Sequence, residues 1–348
     1  MKATLFCANP YAFGILKPLS DELMQGKHQV MWYVPEKHLS TFPFQHEVPY
    51  TSLISDIHNF NSDAIFVPGN EIPHYLRGVK VQIFHGLAGE KKGHFRIRHY
   101  FDLYLTQGPY FTDRFKALAS RYKDFLVTET GWCKLDMLYK DIEKYKTERN
   151  NLLKAKGKKH LVLYAPTFSP SLTSAVSLKD QIFNLAKTED IYLLIKFHDL
   201  MNPEIASEYM HEAQKYENVE IVAEKNILNS LKMADVMISD TSSVVYEFIF
   251  LNKPVITLNS RSPHIVWNNI SEPSQLPTAF VSTINSDDFA DKRAKLIEMY
   301  HPYNDGLSSH RMIEAVEQFI QNYGVPTKRK LNFFRRYKMV KDFGFKPE

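Results

Sequence analysis

Cysteine is scarce in this sequence, and long apolar runs are absent. The 348 residues contain only Cys7 and Cys133, which provide neither a disulfide framework nor a Cys-x-x-Cys metal site. No apolar run approaches the roughly 18 residues that a membrane-spanning helix needs. The apolar start of the chain breaks at Asn9-Pro10, before the roughly 7 to 15 residues of a signal-peptide core, and fits a buried strand better. We therefore expect a cytoplasmic protein.

The glycine motifs of several common nucleotide and hydrolase sites are also missing. The stretch FHGLAGEKKGHF, from Phe84 to Phe95, combines three glycines with three consecutive charges but lacks the spacing of a P-loop. There is no Gly-x-Ser-x-Gly elbow, and no Gly-x-Gly-x-x-Gly follows the first strand. These absences argue against a P-loop nucleoside triphosphatase, an α/β-hydrolase and an NAD-dependent enzyme.

Metal ligands are not grouped in the sequence either. His85, His94 and His99 lie close together, but no further Cys or acidic ligand accompanies them at the short spacing that zinc sites use. We expect neither a metal nor a cofactor.

The length and composition are those of a soluble protein with more than one core. Hydrophobic residues make up 44% of the chain and charged residues 24%. A chain of 348 residues is long for one domain and comfortable for two. We expect two domains.

Positive charge is concentrated at the C-terminal end. Residues 327–348 carry eight Lys or Arg against two acidic residues, a net charge of +6, whereas the whole chain has a formal net charge of +4. The aromatic residues of this segment are interleaved with its cations: Phe333, Phe334, Tyr337, Phe343 and Phe345. Basic and aromatic residues together suit an anionic membrane surface. We favour that partner over a disordered tail, and we expect no nucleic-acid partner.

Short apolar runs rich in Val, Ile, Phe and Tyr alternate with longer segments of helical periodicity. This alternation predicts an α/β fold whose parallel sheets are covered by helices on both faces. The runs are ATLFC, VMWYV, AIFVP, VQIF, DLYLT and FLVTE in the first half, and LVLYA, YLLIKF, VEIVA, DVMIS and PVITL in the second.

A charged, helix-prone segment, KDIEKYKTERNNLLKAKGKKH, interrupts this pattern around residues 140–160. We place the domain boundary there, with a Rossmann-like domain over 1–150 and a second over 151–326 whose last helix packs back. The basic aromatic tail, 327–348, follows. Because ligands of open α/β sheets bind beyond the carboxyl ends of the strands, we expect the two domains to face a central cleft.

His85 and Gly86 directly follow the predicted strand VQIF. A lone histidine is more often structural than catalytic, but this one ends a strand and precedes a glycine that would let the backbone approach a ligand. Glu90, Lys91 and Lys92 form either a solvated loop or, through the lysines, a phosphate-binding loop.

A second histidine, His198, ends the strand YLLIKF in the other predicted domain. A capping or turn role is the alternative for this residue. Two histidines that each end a strand, one in each domain, would face the same cleft, so we treat them as a pair.

The stretch ISDTSSVVYEFIFLNKPVI carries the most informative pattern. A strand ends at Asp240, and Thr241, Ser242 and Ser243 precede an apolar helix. These residues either cap an ordinary helix start or, with the free N–H groups and the helix dipole, bind a diphosphate. Glu247, one turn into the helix, either reaches a ribose hydroxyl or faces solvent.

Two smaller motifs support the prediction of a nucleotide-binding site. YAPTF ends the first strand of the second domain with a proline and Thr167. YNDGLSSHR places Ser308 and Arg311 at a helix start, where Ser308 is either a cap or a second phosphate contact.

Taken in order, these motifs resemble the CDP-glycerol glycerophosphotransferase family, the teichoic acid primases and polymerases with a GT-B fold. The resemblance covers roughly residues 80–315 and rests on FHG, GWCKLDML, LYAPTF, KFHD, SDTSSVVYEFIFLNKPVI and YNDGLSSHR. The family usually shows Trp-His-Gly, Gly-Tyr-Pro-Arg-x-Asp, Tyr-Ala-Pro-Thr, His-Pro, and Asp-Tyr-Ser-Ser with an Asp one turn later. Here Phe84 replaces the Trp, Asp199 replaces the Pro, Glu247 stands for the later Asp, and the Gly-Tyr-Pro-Arg segment differs at three positions. These departures leave the exact CDP-linked donor open.

The resemblance implies transfer of a polyol phosphate, glycerol phosphate in the first instance, from a CDP-linked donor to an acceptor hydroxyl in cell-surface polymer or glycan synthesis. It implies His85 as the base that takes the hydroxyl proton, with His198 steadying the diphosphate or the leaving CMP. The donor would be bound by Gly86, Thr167, Asp240, Thr241, Ser242, Ser243, Glu247, Ser308 and Arg311, without a metal. The acceptor would be a glycan or a lipid-linked molecule, which makes a peripheral position on the inner face of the membrane an alternative to a wholly cytoplasmic one.

Two other classes of protein stay open. A GT-B sugar transferase or sugar-nucleotide epimerase would keep the cleft and the helix-start phosphate site but bind UDP or GDP. A non-catalytic binding protein of the same fold would bind the donor without turnover, but the presence of both histidines and the hydroxyl-rich helix start in one chain argues against it.

Overall fold

The computed structural model describes residues 1–87, 93–224, 226–262 and 264–344. The chain divides into two compact units, Met1–Met137 with Glu298–Glu348, and Leu138–Ile297. Each unit contains one sheet of parallel strands connected through helices. The predicted α/β class is therefore confirmed.

The sheet of the first unit has seven strands in the order β3-β2-β1-β4-β5-β6-β7. The chain runs outward from β1 to β3, returns to place β4 beside β1, and then runs outward the other way, which is a doubly wound order. The strands are β1 (Lys2–Phe6), β2 (Gln29–Tyr33), β3 (Tyr50–Thr51), β4 (Ala64–Val67), β5 (Val79–Gln82), β6 (Leu103–Thr106) and β7 (Leu126–Glu129). Every residue of β4, β5 and β6 is buried, as expected for parallel strands covered on both faces.

The sheet of the second unit has six strands and repeats that order as β10-β9-β8-β11-β12-β13. The strands are β8 (His160–Tyr164), β9 (Ile191–Ile195), β10 (Val219–Ile221), β11 (Val236–Ser239), β12 (Val255–Leu258) and β13 (Asn268–Ile270). The apolar core of this unit includes Val162, Leu193, Ile195 and Ile238 from its central strands. The edge strands β3 and β13 were not predicted, because they are short and partly polar.

Helices connect the strands of both sheets. They are α1 (Phe13–Gln25), α2 (Ile54–Phe60), α3 (Pro109–Tyr122), α4 (Cys133–Tyr139), α5 (Ile142–Lys156), α6 (Lys179–Thr188), α7 (Pro203–Ala213), α8 (Leu228–Met233), α9 (Val244–Phe250), α10 (Leu276–Asn285), α11 (Ala290–Tyr300), α12 (Ser308–Tyr323) and α13 (Phe333–Phe343). Among the described residues, no helix combines the length and apolar character needed to cross a bilayer.

The compact units are bounded differently from the domains placed at 150 and 326. Residue 150 lies inside α5, which packs against α8 in the second unit, and Tyr145 in α5 donates from its hydroxyl to Asn229 Oδ1 at 2.5 Å. The chain rejoins the first unit at Glu298, and α12 packs there against α1. The charged helix α5, where the boundary was placed, is thus part of the second unit.

The basic C-terminal segment is also part of the first unit as far as residue 344. Arg329 forms ion pairs with Asp102 at 2.6 Å and Asp124 at 3.1 Å. In α13, Met339 is buried, and the hydroxyl of Tyr75 donates to the carbonyl of Gly344 at 3.0 Å. These contacts fix the segment within the first unit, so the alternative of a disordered tail does not hold for residues 327–344.

Candidate active site

The second sheet reverses its winding direction between β8 and β11. The loop after β8 and the loop after β11 therefore leave the sheet on opposite faces, beside each other at the carboxyl ends of the strands. Ligands of open α/β sheets bind at such a switch point. Thr167 lies in the first of these loops, and Thr241, Ser242 and Ser243 lie in the second.

A cavity of about 330 Å³ opens at this point of the second unit. It is lined by six of the residues predicted from the sequence: Thr167, His198, Thr241, Ser242, Ser243 and Glu247. Its size is within the range of small-ligand sites. The fold therefore brings together residues that were predicted from three separate motifs.

Asp240, directly before Thr241, does not line this cavity. Its side chain is 1% exposed and accepts hydrogen bonds from the N–H groups of Thr167, at 3.0 and 3.2 Å, and Ser174, at 2.7 Å. The hydroxyl of Ser174 donates a further bond at 2.8 Å. Burial raises the pKa of Asp240, although these bonds act in the opposite direction. Its carboxylate anchors the loop after β8, and its predicted role in binding the donor stays a prediction.

The hydroxyl residues before α9 do not act as ordinary helix caps. Ser243, at the N-cap position, makes no side-chain capping bond, and the hydroxyl of Thr241 accepts from the N–H of Arg261 at 3.1 Å. The helix has seven residues, so its dipole is short. The hydroxyl groups at the cavity wall are therefore more informative for ligand binding than the helix itself.

Among the other residues that line the cavity, Phe168 and Lys196 were not identified as site residues from the sequence. Phe168 packs against the ring of His198, with ring centroids 4.4 Å apart. Lys196, directly after β9, also lines the cavity and is 8% exposed. A lysine within the apolar run YLLIKF, two residues before His198, is the signal that could have identified it.

His198 is exposed and is oriented by the backbone. Its Nδ1 accepts a hydrogen bond from the N–H of Leu200 at 3.1 Å. An accepting Nδ1 carries no proton, so in the neutral imidazole the proton is on Nε2. His198 is thus arranged to donate a hydrogen bond through Nε2.

His85, in the first unit, is arranged in the opposite way. It follows β5 after Ile83 and Phe84, and its Nδ1 lies 3.1 Å from the carbonyl oxygen of Pro68. Because a carbonyl can only accept, Nδ1 carries the proton, and in the neutral ring Nε2 has the free lone pair. The side chain is exposed, and its ring centroid lies 5.3 Å from that of Tyr11. This histidine is suited to take up a proton.

The residue after it is Gly86, whose carbonyl accepts from Gln107 Nε2 at 3.2 Å. A Cβ atom built at Gly86 would meet no atom of the described residues within 4 Å. Packing against the described part of the chain therefore gives no reason for glycine at this position. Glu90, Lys91 and Lys92 lie outside the described residues, so their predicted phosphate-binding role stays a prediction.

Ser308 and Arg311 belong to the first unit and have structural partners there. The N–H groups of Ser308 and Ser309, at the start of α12, donate to the carboxylate of Asp136 at 2.9 and 2.7 Å. Ser308 is 1% exposed, and Arg311 forms an ion pair with Asp305 at 2.8 Å. The anion at this helix start is a side chain of the protein itself, and the donor-binding role of Ser308 and Arg311 stays a prediction.

The same region explains why the motifs GWCKLDML and YNDGLSSHR occur together. Gly131 adopts φ +83°, and a Cβ atom there would lie 2.4 Å from the hydroxyl oxygen of Ser308. The N–H of Trp132 donates to Nε2 of His301 at 2.9 Å. Both motifs are parts of one packed structure. Within the described ranges, no group of three His, Cys, Asp or Glu side chains is arranged to hold a metal ion.

Known proteins share sequence with this chain over somewhat more than half of its length. It is 26% identical over 215 residues to the teichoic acid glycerol-phosphate primase of Bacillus subtilis (strain 168), covering 57% of this chain and 53% of that protein. It is also 26% identical over 221 residues to the teichoic acid ribitol-phosphate polymerase TarL of Staphylococcus aureus (strain NCTC 8325 / PS 47), covering 57% and 38%. The matched region thus spans about half or less of these curated relatives.

Solved structures share the fold over nearly the whole chain. The wall teichoic acid polymerase TagF superposes with a TM-score of 0.64 at 14% identity, covering 92% of this chain and 89% of that one. The UDP-GlcNAc 2-epimerase from Neisseria meningitidis, in a structure bound to UDP-GlcNAc, gives a TM-score of 0.59 at 16% identity, covering 91% and 100%. These similarities confirm the predicted GT-B class.

A match to a family model identifies the family of the chain, which similarity of fold does not. Residues 81–260, just over half of the chain, match the model of one family, and this range contains His85, His198 and the hydroxyl residues of the cavity. The chain therefore belongs to the CDP-glycerol:poly(glycerophosphate) glycerophosphotransferase family.

Proposed function

We propose that the protein transfers a polyol phosphate, glycerol phosphate in the first instance, from a CDP-linked donor to an acceptor hydroxyl in the synthesis of a cell-surface polymer or glycan. The observation that carries this proposal is the cavity at the switch point of the second sheet, within the residues that match the family. Its hydroxyl groups and the donating imidazole of His198 suit a diphosphate.

The donor is proposed to bind through two kinds of group in this cavity. Thr167, Ser242 and Ser243 supply hydroxyl groups for the phosphate oxygens, and Glu247 is one turn into α9, where a carboxylate can accept from a ribose hydroxyl. Asp240 has an indirect role, because it holds the loop that carries Thr167.

The chemical step is proposed to begin at the acceptor hydroxyl. Its oxygen attacks the phosphorus that carries the polyol, the bond from that phosphorus to the bridging oxygen breaks, and CMP leaves with the bridging oxygen. His85 takes the hydroxyl proton on Nε2, since its Nδ1 faces the carbonyl of Pro68. His198 donates from Nε2 to a phosphate oxygen of the leaving CMP, because its Nδ1 accepts from Leu200.

A sugar-nucleotide enzyme is the second candidate, and the fold similarity to a UDP-GlcNAc 2-epimerase favours it. The two candidates differ in the nucleotide that they bind. Thermal unfolding with CDP, CMP, UDP, GDP and CDP-glycerol separates them, because a ligand that binds only the folded protein raises its melting temperature. Stabilisation by CDP and CDP-glycerol alone supports the proposal, and stabilisation by UDP or GDP alone contradicts it.

Turnover is tested separately by release of CMP from CDP-glycerol with an acceptor present. We propose that the reaction needs no added metal, so CMP release should be the same with and without a chelator. Binding of CDP-glycerol without CMP release, over a panel of polyol and glycan acceptors, would instead indicate a binding protein.

We also propose that the acceptor is presented at an anionic membrane surface, which α13 contacts. This helix carries Phe333, Phe334 and Tyr337, which are 70%, 80% and 64% exposed. Arg336 and Lys341 are exposed on the same helix, and each cation near an anionic surface contributes about 1 kcal/mol. The buried side chain of Met339 fixes the helix in the first unit.

Sedimentation with phosphatidylglycerol vesicles tests this contact. Replacing Phe333, Phe334 and Tyr337 with Ser should abolish sedimentation, whereas replacing Tyr323, an exposed aromatic residue of α12, should not. Truncation is a poorer test, because Arg329 and Met339 pack within the first unit. Equal sedimentation of the triple variant and wild type would contradict the proposal.

A further inference from the structure

Lys196 is buried at the wall of the cavity in the second unit. It directly follows β9, and its backbone N–H donates to the carbonyl of Tyr164 in β8 at 2.9 Å, which places it at the carboxyl ends of the two central strands. Its Nζ donates to the carbonyl of Phe197 at 2.8 Å. An ammonium group has three donors, and this bond uses one of them.

The other buried cations of the described chain have more partners. Nζ of Lys80 donates to two backbone carbonyls, at 2.7 and 3.1 Å. Lys232 donates to the carbonyl of Lys140 at 2.8 Å and lies 4.5 Å from the ring centroid of Tyr145. Arg293 pairs with the carboxylate of Asp287 at 2.7 Å. Lys196 is the cation among these four that lines the cavity at the switch point.

No described carboxylate lies within 4.0 Å of Nζ of Lys196. The cavity does contain two acidic residues: Asp199 is exposed, and Glu247 is one turn into α9. A buried charge without an opposite charge is costly to the folded protein. A ligand anion in the cavity would offset this cost, and a lysine can bind a phosphate as a point charge.

We propose that Lys196 binds the diphosphate of the nucleotide donor. The hydroxyl groups of Thr167, Ser242 and Ser243 can donate hydrogen bonds to this group but carry no charge. The side chain of Lys196 supplies the positive charge on the same wall. This inference rests on the proposed function for the identity of the nucleotide. Binding of the phosphate groups by Lys196 can be tested separately.

Calorimetric titration with cytidine, CDP and inorganic pyrophosphate tests the proposal on wild type and Lys196→Met. Wild type should bind CDP more tightly than cytidine and should bind pyrophosphate. The variant should lose about 10- to 100-fold in affinity for CDP and pyrophosphate, the range for a charged hydrogen bond, and keep its affinity for cytidine. Lys196→Arg, which keeps the charge, should bind CDP more tightly than Lys196→Met.

The unfolding of the ligand-free protein separates this role from a structural one. Lys196→Met should be at least as resistant to urea as wild type, because it removes a buried charge. Lys232→Met is the matched control: this buried lysine has structural partners, so its loss should lower stability without a selective loss of CDP affinity. A stability loss in Lys196→Met as large as in the control would overturn the proposal.

The remaining outcomes distinguish this proposal from the proposed function. If wild type binds UDP or GDP and not CDP, the proposed function fails. The role of Lys196 is still supported in that case if Lys196→Met loses affinity for the bound nucleotide and for pyrophosphate. If wild type binds CDP, and Lys196→Met binds CDP and pyrophosphate as tightly as wild type does, the role of Lys196 is contradicted and the proposed function is not. If wild type binds no nucleotide and no pyrophosphate, both fail.

Discussion

His85 and His198 each lie three residues beyond the end of a parallel strand, yet the backbone groups that face their Nδ1 atoms differ. Each is exposed and follows a parallel strand. Nδ1 of His85 faces a carbonyl, whereas Nδ1 of His198 accepts from an N–H group. The first ring therefore presents a lone pair at Nε2 and the second presents a proton. The comparison shows that a backbone partner, which no residue motif specifies, sets the neutral tautomer of each histidine.

Removal of His85 should have the largest effect on turnover. His85→Ala should lower kcat for CMP release by roughly 10³-fold, within the range of a general base, while CDP-glycerol affinity stays within about twofold. Steady-state kinetics and calorimetry on the same sample check this. Wild-type turnover in the variant would rule out His85 as the base.

Removal of His198 should have a smaller effect on turnover and a clear effect on binding. His198→Ala should lower kcat by about 10²-fold, the effect of losing one donor to a developing charge, and should also weaken CDP binding. The same two assays separate it from His85→Ala. If both variants change turnover and binding alike, the two histidines do not have different roles.

Two carboxylates near the cavity can be compared in the same way: Asp240, which is buried and anchors the loop that carries Thr167, and Asp199, which is exposed. Asp240→Asn should lower the free energy of unfolding by about 1–3 kcal/mol, because the new amide cannot accept every bond from Thr167 and Ser174. It should lower kcat/KM by roughly tenfold through the misplaced loop. Asp199→Asn, at an exposed residue of the same cavity, is the control and should leave stability unchanged in urea unfolding.

His301 should have the smallest effect on turnover, since its partners are structural. Burial lowers the pKa of His301 to about 4 from 6.5. As the pH falls below 6.5, the unfolded chain binds a proton at this residue and the folded chain does not, so stability falls between pH 6.5 and 4. The loss should reach about 3 kcal/mol, and urea unfolding over this range should show a shallower pH dependence for His301→Gln. An equal slope in both proteins would contradict the assignment.

Much of the fold follows from local pattern, because parallel strands buried on both faces read as continuous apolar runs. Each predicted run coincides with a strand, whereas Tyr50–Thr51 and Asn268–Ile270 are too short and too polar to give that signal. Residues 298–344 belong to the first unit because of long-range packing. Their place in that unit therefore could not be predicted from the charged segment around residue 150.

The site shows the same division between local and long-range information. The strand-end histidines and the hydroxyl run were predictable because their motifs are contiguous. The bond between Ser308 and Asp136 joins residues 172 apart in sequence, so nothing near YNDGLSSHR indicates that its helix start is already occupied. The anchoring contact of Asp240 could not be predicted for the same reason, since its partner Ser174 is 66 residues away.

The proposal that His85 accepts a proton and His198 donates a hydrogen bond is tested most directly by determining the tautomer of each ring. Long-range ¹⁵N–¹H correlation spectra of protein labelled at histidine distinguish the two neutral forms, with His85→Gln and His198→Gln assigning the signals. The account predicts a proton on Nδ1 of His85 and on Nε2 of His198. The reverse form at either residue, or the same form at both, would contradict it.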